Sequence, residues 1–308
     1  MEEEDLHIFI HPINTLICSS LVLDLQLNYP GRKLVFYGVT GPEVQPHYSD
    51  LLDKKIDGAN MDEVTNNLLK TDLWIFDTIK SKVKLLKQAS QVLLDLCFVK
   101  QIKILLISHP LLAYYRATNN LDSRLESKNS VDVENLKNLS TSDFHLRRTL
   151  PCYEFVRQIE DLLLSLPAKN QLIETKLLMP GLVYGQGEED FEALFEMIIN
   201  SEQLFIFGDG ENYIPSIHIK DLTYCILKTL LAQNCPQIQF CVDSQRITQK
   251  QLIMNIANQF DLPMPRMRTD IEAVFHPLYL PMTLDLELQS SFNILSREND
   301  IRIELERE

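Results

Sequence analysis

A strand that runs into a glycine turn and out again into a helix is the feature that most narrows what this chain can fold into. Thr175-Lys176-Leu177-Leu178-Met179 reads as a strand, Pro180-Gly181-Leu182-Val183-Tyr184-Gly185-Gln186-Gly187 follows it, and Phe191, Leu194, Phe195, Ile198 and Ile199 then recur at helical spacing. Farther on, Phe207-Gly208-Asp209-Gly210 leads to Ile217-His218-Ile219-Lys220-Asp221-Leu222. There Asp221 is expected to cap a helix with Leu222, Cys225, Ile226 and Leu230 on its inner face. His7 to Ile10, Lys33 to Tyr37, Asp72 to Asp77, Ile102 to Ile107 and Ile238 to Val242 read as further strands. The run from Ile102 to Ile107 is apolar apart from Lys103, as in a parallel sheet covered on both faces. Lys80 to Phe98 predicts an amphipathic helix with Leu85, Leu86, Ala89, Val92, Leu93, Leu96 and Cys97 on one stripe. Thr248 and Gln251 form a capping box that opens Leu252 to Phe260. Strands alternating with helices predict an α/β chain built on a doubly wound parallel sheet.

At 308 residues the chain has room for one large α/β unit with a small lobe, placed at 1–260 and 261–308. Within the first, 116–150 is polar and lacks helical periodicity until its end, and reads as a surface insertion. The charged stretch 297–308 reads as a docking tail or helix. No run of about 18 apolar residues predicts a membrane span. The acidic start, Met1-Glu2-Glu3-Glu4-Asp5, is unlike a secretory or mitochondrial signal. The cysteines 18, 97, 152, 225, 235 and 241 form no C-x-x-C pair and are expected to be reduced core residues of an intracellular protein. Asn138-Leu139-Ser140 is then a chance glycosylation match. A net charge of −14 argues against nucleic acid or an anionic membrane as partner and is compatible with basic protein surfaces. No G-x-x-x-x-G-K-[ST] loop occurs, so ATP phosphoryl chemistry is not expected.

The Pro180–Gly187 turn and the Gly208–Leu222 segment resemble the "R-P-x-x-V-Y-G" and "G-D-G … V-H-V-x-D-L" motifs of the extended short-chain dehydrogenase/reductases, the sugar-nucleotide epimerase-like proteins. The resemblance implies a Rossmann-like sheet with a small C-terminal lobe, a dinucleotide at the first βα turn and an acid/base tyrosine. Each implied site residue departs from the pattern. Ile10 to Val22 aligns with "V-T-G-x-x-G-F-I-G-x-x-L-V", yet the three glycine positions hold Pro12, Thr15 and Cys18. Glycine there allows a tight turn and close approach of backbone to pyrophosphate. Pro12 removes a backbone donor, Thr15 is expected to be penalised at positive φ, and Cys18 adds a side chain. Tyr37 and Gly38 stand where a ribose-binding residue belongs, with Asp57 the nearest acidic candidate and more readily read as a solvated loop residue. Asp77 replaces a small residue that lets the cofactor pass. Ser108 falls at the first serine of "S-S-A-x-V-Y-G", and the catalytic slot holds His109 or Pro110.

Pro151 to Glu160 matches the "P-Y-x-x-S-K-x-x-x-E" helix, with Tyr153 as the acid/base and Arg157 where the lysine belongs. Arg keeps the charge but differs in shape and hydrogen bonding. Ile214 stands where an arginine meets a substrate phosphate. His218 lacks a second ligand at metal spacing and is expected to be packed. The version G-D-G-x-N-x-I-P-x-I-H-x-x-D-L is similar to one branch, the N-terminal epimerase-like domain of the ciliary adenylate kinase isoform seven. These departures imply a non-catalytic protein with Tyr153, Arg157 and Ser108 vestigial, no cofactor, no metal, and axonemal proteins as partners, in a radial-spoke or central-apparatus type of assembly. The alternatives are an active NAD(P)-dependent epimerase or oxidoreductase using Tyr153 and Arg157, and an accessory subunit that holds an adenylate kinase.

Overall fold

The computed structural model describes residues 5–29, 31–41, 44–78, 101–108, 114–116, 147–149, 154–185, 203–232, 235–244 and 247–268. Its centre is a seven-stranded sheet. Counting from one edge, the strands are β13 (Ile238–Cys241), β8 (Ile173–Pro180), β5 (Ile102–Ile107), β4 (Leu73–Asp77), β1 (Leu6–His11), β2 (Leu34–Thr40) and β3 (Lys54–Asp57). The pairings from β3 to β2, β1, β4, β5 and β8 are all parallel. The order reverses direction at β1 and β4, which makes the gap beyond their carboxyl ends the switch point where such sheets bind ligands.

The strands are apolar because the sheet is covered on both faces. Ile8, Phe9, Ile10, Trp74, Ile75, Ile104, Leu105 and Leu106 have no exposed surface. Phe76 packs against both Phe9 and Trp74, with ring centroids 5.8 and 6.4 Å away. Helix α1 (Leu16–Asn28) lies on one face and packs against a later helix, α5 (Ile219–Leu231). Two lysines inside the strands reach backbone carbonyls, one in the last turn of α5 and one beyond it. Lys103 Nζ donates to the Leu230 carbonyl at 3.2 Å, and Lys176 Nζ donates to the Cys235 carbonyl at 2.7 Å. Lys103 thereby complements the carbonyl end of the helix, and Glu174 lies within 3.4 Å of both amines.

By internal contacts the chain forms two units. The first comprises 1–109, 155–179 and 219–239; the second comprises 110–154, 180–218 and 240–308. The second unit contains short strand pairs. β9 (Leu182–Tyr184) runs parallel to β12 (Ser216–His218), β10 (Phe205–Phe207) parallel to β15 (Arg266–Arg268), and β11 (Tyr213–Ile214) antiparallel to β14 (Ile247–Thr248). β6 (Tyr114–Arg116) pairs antiparallel with β7 (Arg147–Thr149), so the polar insertion leaves and returns at one place. The expected capping box is present: Thr248 caps α6 (Gln249–Gln259), accepts from the Gln251 amide at 3.2 Å, and has its own amide bound by Gln251 Oε1 at 3.0 Å.

Three expectations change. β2 runs on through Gly38 to Thr40, which moves the ribose-side end of the strand two residues beyond Gly38. Asp57 closes strand β3 instead of lying in a loop; its Oδ1 accepts from the Ala59 amide at 2.9 Å, and helix α3 (Met61–Leu68) follows, after the one-turn α2 (Pro46–Ser49) earlier in the chain. Asp221 is not a cap. α5 begins two residues earlier, at Ile219, and Asp221 is the acidic residue of its first turn. The expected helices at 80–98 and 191–199, and the stretch 297–308, lie outside the described residues.

Candidate functional site

At the switch point, β1 ends at His11 and a short turn leads to α1. Thr15 has φ −90° and ψ 151°, ordinary extended backbone. The expected positive-φ penalty therefore does not arise. Thr15 serves instead as the N-cap: its Oγ1 accepts from the Cys18 amide at 3.3 Å and donates to the Pro12 carbonyl at 3.2 Å. Ser19 Oγ adds a 2.8 Å bond to the Thr15 carbonyl. Cys18 is fully buried, and its thiol lies near Asp77 at the end of β4. Burial pushes the Cys18 pKa well above the usual thiol range, and the Asp77 charge adds to the shift. Cys18 is thus a neutral thiol that fills the gap between α1 and β4, where a glycine would leave room. Asp77 is itself 5% exposed.

The surface past the ends of β2 and β3 is open. A cavity of about 650 Å³ lies past β2 and β3, bordered by Thr40, Gly41, Val44, Asp50, Asp57 and Glu63. Lys55 pairs with Asp50 at 2.9 Å, which leaves the rim acidic.

Ser108 follows β5. Its amide donates to the Leu178 carbonyl at 2.8 Å, and its side chain is wholly buried. Helix α4 (Glu154–Lys169) brings up a residue that sequence reasoning gave no role. Glu160 has no exposed surface, and burial pushes its pKa up to about 8. The Ser108 hydroxyl opposes that shift, and the neighbouring charge of Asp161 adds to it. The Ser108 oxygen falls outside hydrogen-bond limits yet lies close enough to be felt by the carboxyl. The signal for Glu160 was present in the sequence. Val156, Ile159, Leu163 and Leu166 form the buried stripe of α4, and Glu160 sits on it. Arg157 does not join this pair: its Nε lies 3.4 Å from Asp161 Oδ2, one turn along the same helix. Tyr153, His109 and Pro110 lie outside the described residues.

In the second unit the motif glycines have backbone reasons to be there. A Cβ on Gly181 would come within 2.5 Å of the Pro215 carbonyl oxygen and 2.8 Å of the Ser216 nitrogen. Gly208 and Gly210 have φ of 61° and 70°. Ile214 is 2% exposed and pairs with Ile247, so it is core. His218 packs edge-on to Tyr184, with centroids 5.2 Å apart. Among the described residues no His, Cys, Asp and Glu gather as a metal-binding group, and no helix is long and apolar enough to cross a membrane.

Solved structures place this architecture. A UDP-glucose 4-epimerase from Thermotoga maritima, solved with UDP-glucose, matches with TM-score 0.59 and 14% identity over 95% of this chain and 92% of that one. The dTDP-glucose 4,6-dehydratase DesIV from Streptomyces venezuelae, solved with NAD, matches with TM-score 0.61 and 11% identity over 86% and 84%. A UDP-glucuronic acid 4-epimerase from Bacillus cereus, solved with UDP-glucuronic acid and NAD, matches with TM-score 0.57 and 13% identity over 97% and 99%. The chain has the Rossmann-like fold of the extended, epimerase-like type. No protein-family model and no curated protein matches it.

In the epimerase-like fold a dinucleotide lays its pyrophosphate against the amides of the first βα turn. The residues here do not fit that group. Thr15 already holds the Cys18 amide, Cys18 occupies the gap, and Asp77 brings a negative charge. No chemical step through a dinucleotide follows from this turn.

Proposed function

We propose that this chain is a non-catalytic protein of epimerase-like fold that serves as a rigid docking component, in an assembly of the ciliary axoneme of the radial-spoke or central-apparatus type. One contrast carries the loss of catalysis. The glycines that the backbone of the second unit needs, Gly181, Gly208 and Gly210, are present, while the three positions of the dinucleotide-binding turn hold Pro12, Thr15 and Cys18. Arg157 supports the same reading because Asp161 engages it, and Ile214 does so because it is buried where a substrate anion would need an arginine. Fold alone does not decide function, so these site residues bear the weight. The axonemal part rests on the likeness of Gly208 to Leu222 to the ciliary kinase branch. The partners are other axonemal proteins, and an adenylate kinase held by this chain is compatible with that role. The acidic surface speaks against nucleic acid and anionic membrane.

A second reading is an NAD(P)-dependent epimerase or oxidoreductase with Tyr153 and Arg157 in the acid/base roles. The open cavity past β2 and β3 favours it, as does a fold shared with enzymes solved with NAD. Titrating the purified full chain with NADH and NADPH, by fluorescence and calorimetry, separates the two. No heat and no fluorescence change at millimolar nucleotide is expected; micromolar affinity would establish the second reading. The docking role is tested by tagging the chain in ciliated cells and fractionating axonemes. Co-sedimentation with salt-extracted axonemal complexes is expected, and a uniformly soluble pool would refute it.

A further inference from the structure

In the second unit one strand pair is lopsided. Ile206 and Phe207 of β10 are core, 3% and 4% exposed, while all three residues of β15, Arg266-Met267-Arg268, are exposed. The pair uses one edge of β15. The Arg266 amide donates to the Leu204 carbonyl at 3.0 Å, and the Arg268 carbonyl accepts from the Gly208 amide at 2.9 Å. Alternate residues of a strand send their backbone polar groups to opposite edges. The N–H and C=O of Met267 therefore face away from β10, on an edge where no further strand pairs among the described residues. The approach to that edge is apolar and held in place. Phe260, Met264 and Met267 are 49%, 73% and 57% exposed. Asp261, at φ 51°, ends α6, with the Leu262 amide on the Ala257 carbonyl at 2.9 Å, and Gln203 Nε2 donates to the Met264 carbonyl at 3.0 Å. The charge here runs against the rest of the molecule. Leu262 to Arg268 contains two arginines and no acidic residue, in a chain of net charge −14. Arg266 and Arg268 share one side of the strand, and the Arg268 guanidinium lies 4.8 Å from the centroid of the Phe205 ring.

We propose that the open edge of β15 is a docking site for an extended segment of a partner protein in which acidic and apolar residues alternate. Such a segment bonds the Met267 backbone, sets its acids against Arg266 and Arg268, and lays an apolar side chain on Met267. A thioether suits that last contact because it adapts to many apolar shapes. The arginines also decide against a second copy of this chain. Antiparallel pairing of two such edges about Met267 sets each Arg266 against an Arg268, and like charges directly opposite are destabilising. The inference rests on the docking reading of the chain and gives the chemistry of one partner.

The test is fluorescence anisotropy of labelled peptides with the purified full chain. The acidic probe is acetyl-Glu-Val-Glu-Val-Glu, and Lys replaces Glu in the control. The acidic peptide is expected to bind with a Kd below about 1 mM and the basic one not to bind. Two further acidic peptides carry N-methyl groups, on the valines in one and on the glutamates in the other. A strand-like bond to Met267 uses one set of amides, so one of these peptides should bind about five- to tenfold more weakly and the other like the parent. Arg266→Glu is the charge variant, because Arg268 also packs on Phe205. It should weaken the acidic peptide by about tenfold and admit the basic one. Should that variant not fold, the N-methyl contrast on the wild type decides alone. Equal affinity for acidic and basic peptides, equal affinity for the two N-methylated ones, or no binding overturns the proposal. So does a dimer of the wild type that the acidic peptide dissociates, which would make a second copy the occupant. If the peptides fail while the chain still co-sediments with axonemal complexes, docking uses another face and the broader reading stands. Micromolar NADH binding would overturn that broader reading whatever the peptides do.

Discussion

Glu160 shows how much a single side chain can change the behaviour of this fold. The carboxyl has no exposed surface and titrates near 8, against an ordinary value of 4.5. Between those two pH values the folded protein holds a proton that the unfolded chain has released. The contribution of Glu160 to stability is therefore complete below about pH 4.5, falls as pH rises through the folded value, and levels off above it. Replacing it by Gln removes the ionisation and keeps the shape. Glu160→Gln is expected to be more stable than wild type at pH 8, by on the order of a few kcal/mol, and to lose the steady decline in melting temperature between pH 5 and pH 8. Melting curves across that range check it; parallel wild-type and variant profiles would show that Glu160 does not ionise in the fold. Legibility at this scale is uneven. Pro12, Thr15 and Cys18 could be singled out because they stand where glycines are expected. Glu160 was hidden because a glutamate on a helix is usually solvated, and only its phase against Val156 and Leu163 gives it away.

At the scale of the element, α1 has replaced one way of satisfying its first turn with another. A glycine turn leaves the amides free for a phosphate, whereas the Thr15 hydroxyl closes on the Cys18 amide. Capping energetics then separate the two roles. Thr15→Ala should cost about 1 kcal/mol in urea unfolding and Thr15→Gly only a few tenths, with no change in nucleotide response for either. A gain of NADH binding in Thr15→Gly would mean that the turn is closed by this residue alone. Thr248→Ala should cost a similar ~1 kcal/mol through the loss of a complete capping box. The sequence made that second cap plain because Thr and Gln stand three apart before an apolar run. It concealed the first, because family alignment framed Thr15 as a defective glycine. β3 escaped notice for a different reason: only Ile56 of its four residues is buried, so an edge strand leaves almost no apolar pattern. The start of α3 was legible in principle, with Asn60 capping and Asp62 and Glu63 in the first turn.

Across the whole molecule, residues with only structural duties match the epimerase-like pattern far better than residues with chemical duties. The parallel sheet needs an apolar core, and Ile8, Phe9, Ile10, Trp74, Ile75, Ile104, Leu105 and Leu106 of β1, β4 and β5 supply it. The second unit needs a glycine where β9 passes Pro215, and Gly181 supplies it. A Cβ at 181 would meet backbone on Pro215 and Ser216, which cannot swing aside as a side-chain tip can. Gly181→Ala must therefore displace the β9–β12 pair, which the Leu182 amide anchors to the Pro215 carbonyl at 2.9 Å. The expected result is a loss of several kcal/mol, at the upper end for single substitutions, felt first in the second unit. Hydrogen exchange read residue by residue checks it. The Leu182 amide and those of β12 should lose protection, while the amides of β1 and β4, in the first unit, keep theirs. Uniform loss across both units would mean that the chain unfolds as one block and that the Gly181 turn supports the central sheet as well. Full retention would mean that the close approach at Pro215 relaxes at little cost, and the presence of glycine there would then need a reason other than packing.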